Sequence, residues 1–232
     1  MPKRAERSDP RIERIEPLRP RGIRVRIHLD RGDPFEVFLE ALERSRLGVG
    51  DLLPTNHRHH LLNEDADIQV REAALSLLSW RARTRAELRR RLLAKGFRSA
   101  RVDACLERLQ KKGLLDDSAV SAAFVRDRLR HRPRGRARLS AELRGKGVDP
   151  AVAQRVVERV LGEEGLTDAA LARRVATGWL ARQGSGVVDA LTREPRDPER
   201  EKARRRLYGY LTRRGFRGDA LRGAVEGVLK SA

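Results

Sequence analysis

Three glycines set the frame of this sequence. Gly96, Gly147 and Gly215 each follow two leucines at the same spacing: Leu88 and Leu92, Leu139 and Leu143, Leu207 and Leu211. Steps of five, nine and twelve from the residue after each glycine reach Val102, Leu106 and Leu109, then Ala153, Val157 and Val160, then Leu221, Val225 and Val228. All nine are apolar in a chain that is 39% hydrophobic, so the coincidence is structural. Leucines four apart share a helix face, and a glycine in the left-handed conformation ends the helix. Apolar residues at i, i+4 and i+7 then mark the next helix. With an apolar helix ahead of each pair, the unit has three helices and occurs three times in tandem.

The first copy is clearest between Ala73 and Asp117. Its first helix ends near Trp80. Thr84 and Glu87 form a Thr-x-x-Glu capping box at the start of the second helix. The third carries Val102, Cys105, Leu106 and Leu109 on one face, which predicts a buried Cys105 thiol rather than a nucleophile. One unit of roughly 45–50 residues is marginal alone, and stacked units share faces. The predicted fold is mainly α: an elongated array of three tandem three-helix, helix-turn-helix-like repeats with a small N-terminal β-hairpin.

The expected boundaries follow. Residues 1–21 are a flexible tail, and 22–64 hold the hairpin and a short helix. Repeat one is 65–117, repeat two 118–166 and repeat three 167–232. The hairpin rests on Ile23, Val25, Ile27 and Leu29 alternating with Arg24, Arg26 and His28, then a turn over 30–34, then Phe35, Val37 and Leu39. A short helix covers about 40–47, Pro54 opens a linker or short helix, and Asp65 is read as the cap of a long helix. Residues 183–199, with Pro195 and Pro198, are an insertion read as a loop. Trp80 and Trp179 are assigned to packing rather than base stacking.

Charge narrows the function. The chain has a net charge of +19. Residues 1–70 carry 13 basic and 13 acidic side chains, so the whole excess lies in residues 71–232. Such an excess suits a polyanion or an acidic partner. From Arg126 to Arg138 every second residue is arginine, which on helix, loop and helix fans the cations around a helix end. A solvated basic face stabilised by the helix dipole is the alternative. The candidate partner- or DNA-contacting residues are Arg81, Arg83 and Arg85; Arg126, Arg128, Arg130, Arg132, Arg134 and Arg136; and Arg204, Arg205, Arg206, Arg213 and Arg214.

The sequence carries no phosphate-loop, zincin or nucleophile-elbow motif, and an enzyme is not expected. His57, His59 and His60 have no further ligands at metal spacing and read as a solvated turn or helix end. No metal, cofactor or small-molecule substrate is expected. No run approaches a membrane span and no signal-peptide core is visible, so a cytoplasmic protein is expected.

These residues also carry a resemblance. The elements Arg81-x-Arg83-Thr84-x-x-Glu87-Leu88, Lys95-Gly96-Phe97, Gly113-Leu114-Leu115-Asp116-Asp117, Phe124-Val125, Gly135-x-x-x-Leu139-x-x-Glu142-Leu143-x-x-Lys146-Gly147-Val148 and Tyr210-Leu211-x-x-Arg214-Gly215-Phe216 resemble those of the RecX regulatory proteins. The likeness spans about residues 22–230. The insertion and the arginine-heavy second repeat depart from a typical member. The resemblance implies a bacterial cytosolic modulator that lies on the RecA–single-stranded DNA filament and inhibits RecA ATPase and strand exchange. Single- and double-stranded DNA are the other implied partners. The second reading is a free-standing, sequence-nonspecific DNA-binding protein built from helix-turn-helix-like units.

Overall fold

The computed structural model describes residues 9–19 and 22–231. The chain divides into two compact units. One joins Met1–Arg81 to Leu88–Lys111, and the other joins Ala82–Glu87 to Lys112–Ala232.

The first unit is built on a three-stranded antiparallel sheet in the order β1 (Ile12–Pro17), β2 (Arg24–Leu29), β3 (Phe35–Phe38). Val25 pairs with Val37 and Ile27 with both Phe35 and Ile15. The alternation of β2 buries Val25, Ile27 and Leu29 and leaves Arg26 wet, as a half-buried strand requires. Strand β1 corrects the expectation of a flexible tail over 1–21; residues 1–8, 20 and 21 of that segment lie outside the described residues. The signal for β1 was weak because Ile12 alone is fully buried among charges. Those charges pair on the sheet surface: Glu16 lies 3.1 Å from His28 of the neighbouring strand and 3.3 Å from Arg14 of its own.

Helices α1 (Leu39–Ser45) and α2 (Thr55–Trp80) follow. Ala41 and Leu42 of α1 and Leu61 and Ile68 of α2 join the apolar cluster that the sheet contributes. Helix α2 is continuous, and Asp65 is not its cap. Asp65 sits buried in mid-helix, where its carboxylate accepts from the Phe38 N–H at 2.6 Å and from the Gln69 amide at 2.6 Å. It therefore ties α2 to the β3–α1 junction, where an unpaired N–H would be costly. A second tie is ionic: Arg71 of α2 grips Glu40 of α1. Trp80 also departs from expectation. It is 84% exposed at the last residue of α2, six residues beyond Ala74, the last buried residue of that helix. Helices α3 (Arg85–Ala94) and α4 (Ser99–Lys111) complete repeat one, with Leu88, Leu92, Val102, Leu106 and Leu109 buried. Cys105 is buried too, and that burial pushes its thiol pKa up.

The second unit holds α5 (Asp117–His131), α6 (Arg136–Gly145), α7 (Pro150–Glu163), α8 (Asp168–Leu180), α9 (Ser185–Thr192), α10 (Pro198–Arg213) and α11 (Gly218–Ser231). Helix α7 packs on α5 and α6, α11 on α8 and α10, and α9 on α10. Repeat two is α5–α7, and repeat three is α8, α10 and α11. All the remaining repeat-defining positions, from Leu139 to Val228, are buried in one apolar cluster. The insertion is not simply a loop. It forms α9, whose Ala190 and Leu191 enter that cluster. Trp179 is buried there as expected. Among the described residues no helix is long and apolar enough to cross a membrane.

The middle helix of every repeat ends alike. The N–H groups of Phe97, Val148 and Phe216 donate to the carbonyls of Leu92, Leu143 and Leu211, at 3.4, 3.1 and 3.2 Å. The intervening Gly96, Gly147 and Gly215 have φ of 88, 79 and 88°. This is the left-handed helix stop that satisfies orphan carbonyls. Two of the glycines carry a further duty. A Cβ on Gly147 would collide with that of Ala86, and one on Gly215 would collide with that of Arg138. The start of one middle helix thus sits on the end of the next. The Thr84 hydroxyl accepts from the Glu87 N–H at 3.2 Å and donates to the Lys146 carbonyl at 2.8 Å. One repeat on, the Gly135 N–H donates to the Arg214 carbonyl at 2.9 Å. Beside each contact a backbone N–H reaches a carboxylate at the start of the next repeat: Arg85 to Asp117 at 2.6 Å and Arg136 to Asp168 at 3.2 Å.

Candidate partner and nucleic-acid surface

A cation offered to a partner must not already be neutralised within the fold. The alternating arginines divide sharply on this criterion. Glu142 of α6 is a hub: Arg128, Arg134 and Arg138 approach its carboxylate at 3.2, 3.1 and 3.1 Å. Arg126 pairs with Glu163 at 2.6 Å, and Arg136 with Asp168 at 3.2 Å. Arg128 also lies 4.4 Å from the Phe124 ring centre, and Lys146 lies 5.0 Å from it. Partly buried cation–π contacts of this kind hold side chains in place. The run therefore knits α5, α6, α7 and the start of α8. Arg130 and Arg132 are left exposed at the end of α5 without side-chain partners among the described residues.

The other candidates separate in the same way. Arg83 is 7% exposed and lies 3.8 Å from Glu87, so it belongs to the interior. Arg85 is half-buried and contributes its backbone N–H to Asp117. Arg81 is exposed at the end of α2. Arg204 pairs with Glu201 at 2.8 Å. That contact and the nearby positive charges of Arg205 and Arg200 hold the Glu201 carboxyl below its ordinary pKa. Arg205, Arg206 and Arg213 are exposed on α10. Arg214 is half-buried, donates to the Pro133 carbonyl at 3.1 Å and covers the Tyr210 ring at 4.7 Å.

The structure also assembles cations that sequence reasoning missed. Around the C-terminal ends of α5, α8 and α10 lies an open cleft of about 440 Å³. Arg174 and Arg182 line it together with Arg132 and Arg214. A sequence signal for them exists. Arg174 and Gly178 are four residues apart and so share a face of α8, and Arg182 follows at the same interval just past the helix end. Among the described residues no carboxylate lines this cleft. A second cleft, beside α6 and α7, has Arg136, Arg144 and Arg217 but also Glu158. A third, in the first unit, has Arg71 beside Glu40, Glu43 and Glu72.

Residues 71–109 match the family model described as the first three-helix domain of RecX, and residues 116–157 match the second. A regulatory protein RecX of Mycolicibacterium vanbaalenii is 39% identical over 153 residues, which is 64% of this chain and 76% of that one. The chain belongs to the RecX family. A second RecX, from Halorhodospira halophila, is 38% identical over 67% of this chain and 86% of its own length. A crystal structure of a regulatory protein RecX shares the fold, with a TM-score of 0.69 at 23% identity over 96% of this chain. That of RecX from Lactobacillus salivarius gives 0.53 at 18% identity over 71% of this chain. Membership makes this chain one of a family of regulatory proteins. The two matched stretches overlap repeats one and two, and Gly215 at the end of α10 meets Arg138 of α6.

Proposed function

We propose that this RecX-family protein binds the RecA–single-stranded DNA filament in the cytoplasm and lowers RecA ATPase and strand exchange. The observation that carries the reading is the 39% identity to a regulatory protein RecX across 76% of that protein. The physical features support it. The exposed cations Arg130, Arg132, Arg205, Arg206 and Arg213 occur on two successive repeats. A filament presents the same acidic side chains and phosphates again and again. Several modest contacts engaged together act at high effective concentration and give avidity that no single contact has. A protein bridging neighbouring protomers resists the rearrangement that accompanies ATP turnover. No covalent chemistry is assigned to the protein itself.

The test is RecA ATPase on single-stranded DNA with rising amounts of this protein. The expected result is a saturable fall. Changing Arg130 and Arg132, or Arg205, Arg206 and Arg213, to alanine should weaken it without loss of helical dichroism, and the combined variant should weaken it more. Unchanged ATPase at saturating protein would leave general DNA binding as the better account.

A further inference from the structure

The cleft ringed by Arg132, Arg174, Arg182 and Arg214 gathers four guanidinium groups with no Asp or Glu among its lining residues, and its chemistry points to a ligand. We propose that it binds the phosphodiester backbone of single-stranded nucleic acid, taking successive phosphates and no base. The inference deepens the nucleic-acid part of the function above, and rests on that reading only for its biological setting.

Its charge comes first. The lining includes four guanidinium groups and His131, with no Asp or Glu among the described residues that line it; Asp127, outside the lining, lies 4.0 Å from His131. Three of the guanidiniums are held by neutral acceptors. Arg174 donates to the Leu129 carbonyl at 2.7 Å, Arg214 to the Pro133 carbonyl at 3.1 Å and Arg182 to the Tyr210 hydroxyl at 3.1 Å. Each contact uses one of five N–H donors and none of the charge. The side chains are thus positioned in advance, which reduces the entropy lost on binding, and their remaining donors suit phosphate oxygens. Capping the end of α5 accounts for Arg174, but it does not account for Arg132, whose side chain has no partner among the described residues.

The aromatic group argues against base recognition. The Tyr210 ring is covered by Arg214 at 4.7 Å, and its centre lies 6.4 Å from that of Trp179 at a 42° tilt. Its hydroxyl is occupied by Arg182. Stacking platforms for bases need an open ring, and this one is packed. The site accordingly reads backbone, which carries no sequence information. A concave cleft admits a flexible single strand, whereas a duplex meets only its rim. An acidic peptide is the weaker fit, because peptide grooves gain much of their affinity from apolar anchors and the aromatic ring at this cleft is already covered by Arg214.

The test needs no RecA, so its failure and the failure of the RecA reading are separable. Fluorescence anisotropy with a labelled oligo-dT strand compares Arg132→Glu with Arg155→Glu, an equal charge change on the exposed face of α7 outside the cleft. The first should weaken binding about tenfold or more and the second about twofold or less, because only the first removes a phosphate contact. Arg174→Gln with Arg182→Gln should flatten the slope of log K against log salt by about 1.4, at roughly 0.7 per phosphate on a single strand. An abasic strand of equal length should bind as well as oligo-dT. Equal weakening by the two glutamate variants would reduce the effect to a diffuse field and overturn the site. So would lost binding to the abasic strand. Displacement by polyglutamate or ATP at matched charge would reassign the cleft to an acidic protein or to a free nucleotide.

Discussion

At the residue scale, glycines that look alike in sequence perform different amounts of work. Gly96 needs only its left-handed backbone, since nothing lies within 4 Å of an added Cβ. Gly96→Ala should therefore cost roughly 1–2 kcal/mol, the ordinary penalty for an L-residue there. Gly147→Ala meets Ala86 as well, and overpacking should add about 1–3 kcal/mol. Chemical denaturation of the two variants checks this, and equal losses would mean that the contact at Gly147 is not tight. Thr84 caps its own helix and bonds to the Lys146 carbonyl, so Thr84→Ala should fall in the upper part of the ~0.5–2 kcal/mol range for lost caps. Glu40 gives a pH signature. The hydrogen bond from Arg71 holds its carboxyl below the usual value. A carboxylate with a depressed folded pKa stabilises the fold above its unfolded pKa, about 4.3, and loses that contribution as pH falls through the folded value. Glu40→Gln should flatten the acid side of the stability profile measured by urea titration and leave the dependence near neutral pH unchanged.

At the scale of elements, the repeat was legible because three signals coincide in it: leucine spacing, the glycine stop and the face of the following helix. The buried sets Leu88–Leu92, Leu139–Leu143 and Leu207–Leu211 all follow from that pattern. What escaped notice lacked a period. Strand β1 has two isoleucines among charges, and Asp65 looks like a cap because nothing local shows that its carboxylate reaches the Phe38 N–H. The prolines of 183–199 suggest a loop, although Val187, Val188, Ala190 and Leu191 between them are enough for one amphipathic helix. Leu191→Ala should consequently cost ~2–5 kcal/mol, as for a core leucine. A loss below about 0.5 kcal/mol, typical of surface positions, would show that α9 is not packed. The arginine run was misleading for a related reason. Spacing reveals where cations occur, but their neutralisation by Glu142, Glu163 and Asp168 is tertiary.

At the scale of the whole molecule, the charge of +19 is a surplus left after many internal ion pairs have formed. That surplus should give direct DNA binding with steep salt dependence. About six neutralised phosphates on duplex would set a slope near −5 for log K against log salt. The family reading adds the more selective partner, and avidity across repeated protomers makes a specific demand. Binding should be far stronger to an assembled filament than to its free subunit. Co-sedimentation settles this directly, comparing RecA filaments formed on single-stranded DNA with a non-hydrolysable nucleotide against RecA without DNA. The account predicts that the protein pellets with the filaments at concentrations where it shows no association with free RecA, in excess of what the DNA alone retains. Equal association with both forms, or pelleting no greater than with bare DNA, would contradict it.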